Sequence, residues 1–583
     1  MRRTNIAALL VAIVGVGACT GDIGDPLRPT NVGGEGTGAT IVDFTCGDPA
    51  PLIDAPLRRL SRRQLRNTVG DVLRQLMPPG EANGVLAAVE GELGAIPRDQ
   101  RPVDSEQQTG QQAFYRADQN VGSAAVEAHY GLATALGEAL SSDASLDAMG
   151  LGCLVAEGTS DAACIDSLVQ LLGPVTHRRP LGDDERAFLR DEVYLAGDVV
   201  SRDDVRDVIT VLFAQPNFLF HVETDGELTP YEAANRLSYH LWDSMPDAEL
   251  WAAAESGEVL TSTGWEAQVE RLLASERARD AIEGFLFEWF RFDQLDLPSR
   301  GTGADYEAIT AGLEIDESLD DAVVAEIVDL FMHVLRSGGS FEDFFLSEVT
   351  PTSHPTLAQI YGVAPAAPGE VVPVPPERRS ILARTGLLLS RAEIALPTVN
   401  SITHPILRGV FIRRQIACDL LPNAPAGAMD GLPTVDRATT GSREATEILT
   451  SAGACAACHS AINPTGFALE GFDAIGQVRG VEPLFDGDGN VTMELAIDDE
   501  AVLPESALPV SGAAALADAL MSSEKAGACF TRHYVRFSLG RTERLEEDGC
   551  ILERIDDAVD EGRPLREVMS LVLLDNNFRV RGG

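Results

Sequence analysis

Cys455-Ala456-Ala457-Cys458-His459 is where this 583-residue chain most directly announces chemistry. A CxxCH segment is the attachment signature for c-type haem. One helical turn separates the two thiols, so Cys455 and Cys458 can each form a thioether with a haem vinyl. His459 can then place an imidazole nitrogen on the iron from the same side. Asn463-Pro464 follows, where a backbone carbonyl could orient the other ring nitrogen of His459. The implied cofactor is one covalent haem c. The distal ligand stays open. Met493 is the favoured candidate, ahead of Met521, Met569 and His533, and a five-coordinate iron is the alternative.

Three other chemistries compete for the same residues. A thioredoxin-like redox pair needs a βαβ setting, and the surrounding sequence reads as helix. A zinc site needs a fourth ligand, for which His533 or His404 would have to arrive through the fold. A plain disulfide suits an exported chain. Haem is the preferred reading.

The N-terminus speaks for export. Arg2 and Arg3 precede an apolar run from Ile6 to Ala18. That run is too short to span a bilayer and long enough for a signal-peptide core. It ends in Val16-Gly17-Ala18-Cys19, which resembles a bacterial lipobox with Cys19 as the lipidated residue. The stretch after it, rich in Gly, Pro and Thr, reads as a flexible tether. Haem c is assembled outside the cytoplasm, so leader and motif agree. The expected location is the cell envelope, with lipid as the only membrane attachment.

Export permits disulfides. Of nine cysteines, Cys19 goes to lipid and Cys455 and Cys458 to the motif. Six remain. Proximity pairs Cys153 with Cys164 and Cys529 with Cys550, leaving Cys46 for Cys418, although fifteen connectivities are possible.

Charge narrows the partners. There are 45 Lys+Arg and 90 Asp+Glu, a formal net charge of −45. No basic surface exists to displace phosphate counterions, which excludes nucleic acid. A basic redox partner would suit such a chain.

The elements around the motif read as helix. Ser61-Arg62-Arg63-Gln64 is a capping box, followed by Leu65, Val69, Val72, Leu73 and Leu76 at helical spacing. Thr229-Pro230-Tyr231-Glu232 starts a second helix that runs to about Trp242. Long amphipathic segments follow over Trp265–Phe292 and Ser318–Leu335, the latter stopped by Gly338-Gly339. The Pro-rich run 364–376 reads as a linker. Closing helices are expected near Ala528–Leu539, Cys550–Glu561 and Leu565–Leu574. No fixed-period repeat is evident.

Several tempting features read as structure. Asp486, Asp488 and Asn490 copy the first EF-hand ligand positions, but Val491 replaces the required glycine, so a turn carrying a hairpin is preferred. The run Phe285, Phe287, Trp289, Phe290 and Phe292 reads as helix core. His221 and His240 read as satisfied core histidines.

Five stretches together resemble planctomycete and myxobacterial multi-domain proteins, which carry a cytochrome-c-like domain flanked by helical domains of unknown function. They are Arg59 to Val69; Arg178-Arg179-Pro180-Leu181 with Pro216 to Phe220; Leu228 to Leu250; Arg384 to Leu388 with Pro405 to Gly409 and Cys455 to Gly476; and Tyr534 to Arg541. Ile462 stands where relatives usually carry Met. The resemblance implies a mainly α fold, a multi-domain helical array with a C-terminal cytochrome-c-like domain and a short β-hairpin. The expected divisions are 1–19 leader, 20–50 tether, helical domains at 51–125, 126–225 and 226–363, linker 364–376, cytochrome-c-like domain 377–504 and helical domain 505–583. The function that follows is electron transfer by a lipid-anchored monohaem protein. A cell-surface binding or scaffold protein with a structural or sensory CxxCH domain is the first alternative, and a haem peroxidase-like enzyme is the second.

Overall fold

Each half of the molecule opens with a capped helix and closes with a two-residue β ladder. The computed structural model describes residues 43–47, 58–102, 114–155, 162–193, 200–389, 403–419, 421, 427, 432–436, 438–451, 453, 455–486, 488–504 and 509–581. Cys19, the leader and all of the expected tether but 43–47 lie outside these residues.

In the first half, the strand Arg58–Arg59 leads into a helix over Arg62–Leu76. Ser61 Oγ accepts from the Gln64 amide, and Gln64 Oε1 accepts from the Ser61 amide, as the capping box requires. The half ends with a helix over Arg202–Ala214, a short helix over Pro216–Leu219 and the strand Phe220–His221. That strand returns to pair antiparallel with the first, Arg58 opposite His221.

The second half repeats this order of parts. The strand Gly226–Glu227 leads through the Thr229–Glu232 capping box into a helix over Pro230–Trp242. Some 340 residues later (Pro230 to about Leu573) come a helix over Leu565–Leu573, a short helix over Asn576–Arg579 and the strand Val580–Arg581. That strand pairs with Gly226–Glu227. The correspondence extends further inward. Helices over Ala162–His177 and Lys525–Leu539 both stop at a left-handed residue, Arg178 at φ 55° and Gly540 at φ 64°. Phe218 and Phe578 are buried at matching places in the two short helices.

Two hydrophobic cores follow from this plan. One gathers Leu65, Val69, Leu136, Leu172, Leu212 and Phe218. The larger runs through Trp265, Phe285, Ile327, Phe331, Phe467, Phe530 and Val572. The helix over Pro230–Trp242 serves both, with Tyr239 in the first core and Leu237 and Leu241 in the second.

Other elements depart from their expected form. The segment Trp265–Phe292 is two helices, Ser262–Ala274 and Ala278–Trp289. The Ser275 amide donates back to Leu272, which ends the first of them. The Pro-rich run 364–376 is held to the preceding residues. Val372–Pro373 pairs with Val349–Thr350, and the Ala366 amide donates to Thr352. Residues 43–47, expected in the tether, are docked, with Phe44 in the larger core.

The disulfides correct the proximity pairing. Cys153–Cys164 is present. Cys46 pairs with Cys550, and Cys418 pairs with Cys529, in place of Cys46–Cys418 and Cys529–Cys550. Cys550 lies in the helix over Leu545–Asp560, against which residues 43–47 pack, with Thr45 O close to Gly549. Cys529 lies in the preceding helix and faces the segment that carries Cys418 instead.

Candidate functional site

The CxxCH residues occupy the first turn and a half of a helix over Cys455–Phe467. Its position is set by a close crossing with the helix over Pro405–Phe411. Each helix contributes one glycine. A Cβ on Gly409 would lie 2.2 Å from the Ile462 carbonyl oxygen, and one on Gly466 would lie 1.9 Å from that of Pro405. Only glycine permits that approach.

A third helix, Ser442–Thr450, frames the other side. Its N-terminal amide, Ser442 N, donates to both Glu482 carboxylate oxygens at 2.9 and 3.0 Å. The buried carboxylate thus meets the positive end of the helix dipole and ties the helix to the strand Val481–Phe485.

From this frame a chain of hydrogen bonds reaches His459. Thr450 Oγ1 donates to the Thr446 carbonyl at 2.6 Å. It accepts from Asn463 Nδ2 at 2.8 Å. That fixes the amide of Asn463 with Oδ1 toward His459 Nδ1, 2.9 Å away. Nδ1 therefore carries the proton, and Nε2 keeps the lone pair with which an imidazole can coordinate a metal. The orienting group is the Asn463 side chain, one helical turn on, rather than a backbone carbonyl. Burial lowers the pKa of His459, partly opposed by the Asn463 bond, which favours neutral imidazole.

His459 lines a cleft of about 330 Å³ with Pro464, Phe467, Ala501 and Val502 on its apolar walls. Arg443 closes one side. Its guanidinium stacks 4.6 Å over the Phe467 ring and donates to the Asp498 and Glu500 carbonyls. The wall strand Glu500–Val502 is thereby held against the helix pair.

Cys455 and Cys458 are half-buried thiols outside the three disulfides. Among the described residues, the grouping of three ligand atoms within 4.8 Å of one another is Cys418, Cys529 and His533, two of which are disulfide-bonded. His404 and His533 do not line the cleft. Met493 lies on the exposed strand Val491–Ala496 opposite Leu484 and is not among the cleft-lining residues. The turn at Asp486 uses its carboxylate on the Asp488 and Asn490 amides, an ordinary Asx arrangement.

Residues 228–363, 384–482 and 508–578 match three protein-family profiles, each described as a protein of unknown function (DUF1592, DUF1588 and DUF1585). The chain carries these three domains in that order. It is the order implied by the resemblance to cytochrome-c-associated multi-domain proteins. No curated protein and no solved structure matches the chain. The CxxCH helix falls inside the DUF1588 segment, and the wall strand at 500–502 falls just beyond it.

Several buried arginines hold these segments together. Arg408, in the DUF1588 segment, is buried and donates to the carbonyls of Leu388, Leu469, Phe472 and Asp473. Arg384 donates to the carbonyls of Ser347 and Val349. Arg236, in the DUF1592 segment, bonds Glu223 and the Phe578 and Val580 carbonyls, clasping it to the end of the DUF1585 segment. These guanidiniums satisfy backbone oxygens that ladders and helices leave over. These contacts are not legible in the sequence pattern, because a single arginine amid apolar residues gives no periodic signal.

Proposed function

We propose that this chain is an exported monohaem c-type protein that passes electrons at the cell envelope. The observation that carries the reading is the Thr450–Asn463–His459 chain, which orients the imidazole in an apolar-walled cleft; Cys455 and Cys458 share its helix but do not line that cleft. Cys455 and Cys458 would hold the group, and His459 would be its axial ligand. Covalently bound haem supplies a one-electron iron couple. The protein's part is to fix the imidazole through Asn463, to shield the group with Phe467 and the 500–502 strand, and to keep His459 neutral.

Lipid attachment at Cys19 belongs to the same proposal. It suits a chain in which no helix, among the described residues, is long and apolar enough to cross a membrane. A net charge of −45 favours a basic redox partner whose docking weakens with salt.

A second reading has one observation in its favour. Among the described residues lining the cleft there is no methionine and no second histidine. An iron open on its distal face would suit ligand or peroxide chemistry better than simple electron transfer.

Expression in a host that matures haem c, followed by denaturing electrophoresis and an absorption spectrum, tests both. One covalent haem per chain with a low-spin spectrum supports electron transfer. A high-spin ferric spectrum moves the assignment to the second reading. Absence of covalent haem in that host overturns both and leaves a binding or scaffold role.

A further inference from the structure

Where the two halves meet, the first strand of one half, the first helix of the other and the C-terminal segment enclose a small cavity. It is lined by Arg58, Arg116, Arg236, His221 and His240, with Tyr239 and Phe578 among the remaining walls. Among the described residues, no side chain lining it is a carboxylate. That is unexpected in a chain with twice as many acidic as basic residues.

The charges around the cavity do not balance. Glu223 takes Arg236 in a two-pronged pair at 2.8 and 2.5 Å and also takes Arg58, at 3.4 Å. Asp243 takes Arg116 at 3.0 Å and spends the same oxygen on Gln64. Three guanidiniums thus face two carboxylates. Arg178, on the far side of His221, spends its fork on the carbonyls of Asn217, Phe218 and Phe220 and adds positive charge without an acid. The next arginines outward, Arg63 and Arg101, have their own partners in Glu283 and Asp293. The nearby Glu288 pairs with Arg101 at 3.6 Å, and burial pushes its carboxyl up to about 7.

The histidines do not change the charge. Burial and the neighbouring arginines push both His221 and His240 well below their ordinary pKa, so each is a neutral ring. His240 Nδ1 is 3.1 Å from Arg116 Nη1, and its Nε2 is 3.4 Å from the Tyr534 hydroxyl. Arg58 is the least committed of the three arginines. Its one hydrogen bond to a described residue is the long one to Glu223.

We propose that this cavity is a binding site for one monovalent inorganic anion of halide size. Its volume is about 30 Å³. A space of ~10–15 Å³ on this measure holds one water. The cavity therefore has room for a chloride in place of water. The anion neutralises the excess guanidinium charge and accepts chiefly from Arg58, since Arg236 Nη1 also serves the Phe578 and Val580 carbonyls and Arg116 Nη1 the Phe537 carbonyl. Because its walls come from both halves, binding favours the state in which the halves are closed on each other.

Thermal unfolding of the purified exported chain tests this at fixed ionic strength and pH. Sodium gluconate, whose anion cannot enter, is replaced stepwise by sodium chloride or bromide. A midpoint rising by several degrees and saturating in either halide is the expected result. Equal midpoints in gluconate and halide overturn the proposal. Arg58→Gln leaves the Arg236–Glu223 pair in place and should abolish the halide-dependent rise. A rise that persists unchanged in that variant places the ion elsewhere and overturns the assignment. Should the variant not fold, anomalous diffraction from bromide-soaked wild-type crystals decides the same point. A bromide peak between Arg58, Arg116 and Arg236 supports the site, and water alone there overturns it.

Discussion

Asn463 accepts the Nδ1 proton of His459 at 2.9 Å, and the opposite end of its amide is fixed by Thr450. That contact sets both the tautomer and the ring plane of the one histidine in the CxxCH motif. If Cys455, Cys458 and His459 hold haem as proposed, Asn463→Ala should leave the covalent attachment intact, because the thiols are untouched. It should weaken ligation by His459, on the order of 10–100-fold as seen when such orienting partners are removed. The spectrum should shift toward high spin. An unchanged spectrum and reduction potential would show that the Asn463 bond does not orient the ligand.

The helix crossing that positions the motif depends on two glycines. Gly466→Ala puts a methyl group into the space of the Pro405 carbonyl, so the helices must separate. A loss of about 1–3 kcal/mol is expected from such overpacking. Urea unfolding measures it. Gly453→Ala is a poor control because Gly453 has φ 60°, whereas Gly91→Ala, with open space around its Cβ, should change little.

Arg408 is tested by the conservative change. Its fork serves four carbonyls without a carboxylate partner among them, and burial pushes its pKa down to about 10. Lysine is a point donor and cannot span that geometry. Arg408→Lys should therefore cost about 3 kcal/mol or more, since several buried oxygens are left unpaired. Arg190→Lys, at an exposed pair, should leave the denaturant midpoint at its wild-type value. Similar denaturant midpoints for the two variants would refute the carbonyl-cage account.

Asp556 gives a pH dependence of known sign. Burial, with Asp560 and Asp557 nearby, pushes its carboxyl up to about 8 from the ordinary 3.8. The folded chain keeps a proton that the unfolded chain releases. Its contribution is fully present below about pH 4 and is lost as the pH rises toward 8. Asp556→Asn mimics the protonated form. It should match wild type at pH 4 and melt clearly higher than wild type at pH 8.5. Thermal melts at the two pH values check this, and a gain that is equal at both would contradict it.

The disulfide connectivity is open to direct measurement. Non-reduced peptide mapping should recover Cys46 linked to Cys550 and Cys418 linked to Cys529. A Cys529–Cys550 peptide would show that sequence proximity had been the better guide.

What could be read from the chain alone was local. The capping boxes at Ser61 and Thr229, the glycine stop at Gly338 and the hairpin around Asp486 each lie within a few residues of their partners, so residue type and spacing were enough. The CxxCH motif belongs to the same class, because its geometry is one turn of helix. Tertiary structure decided everything that joins distant residues. It selected the Asn463 side chain over a backbone carbonyl, since only the packed Ser442–Thr450 helix brings Thr450 to hold that amide. It paired Cys46 with Cys550 across 504 residues. It revealed the repeated closure of the two halves, which intervening chain of very different length hides from any fixed-period search. It also gathered Arg58, Arg116 and Arg236 around one cavity. Local patterns constrain only neighbouring dihedrals and faces, whereas burial of charge and closure of long loops are settled when the cores form.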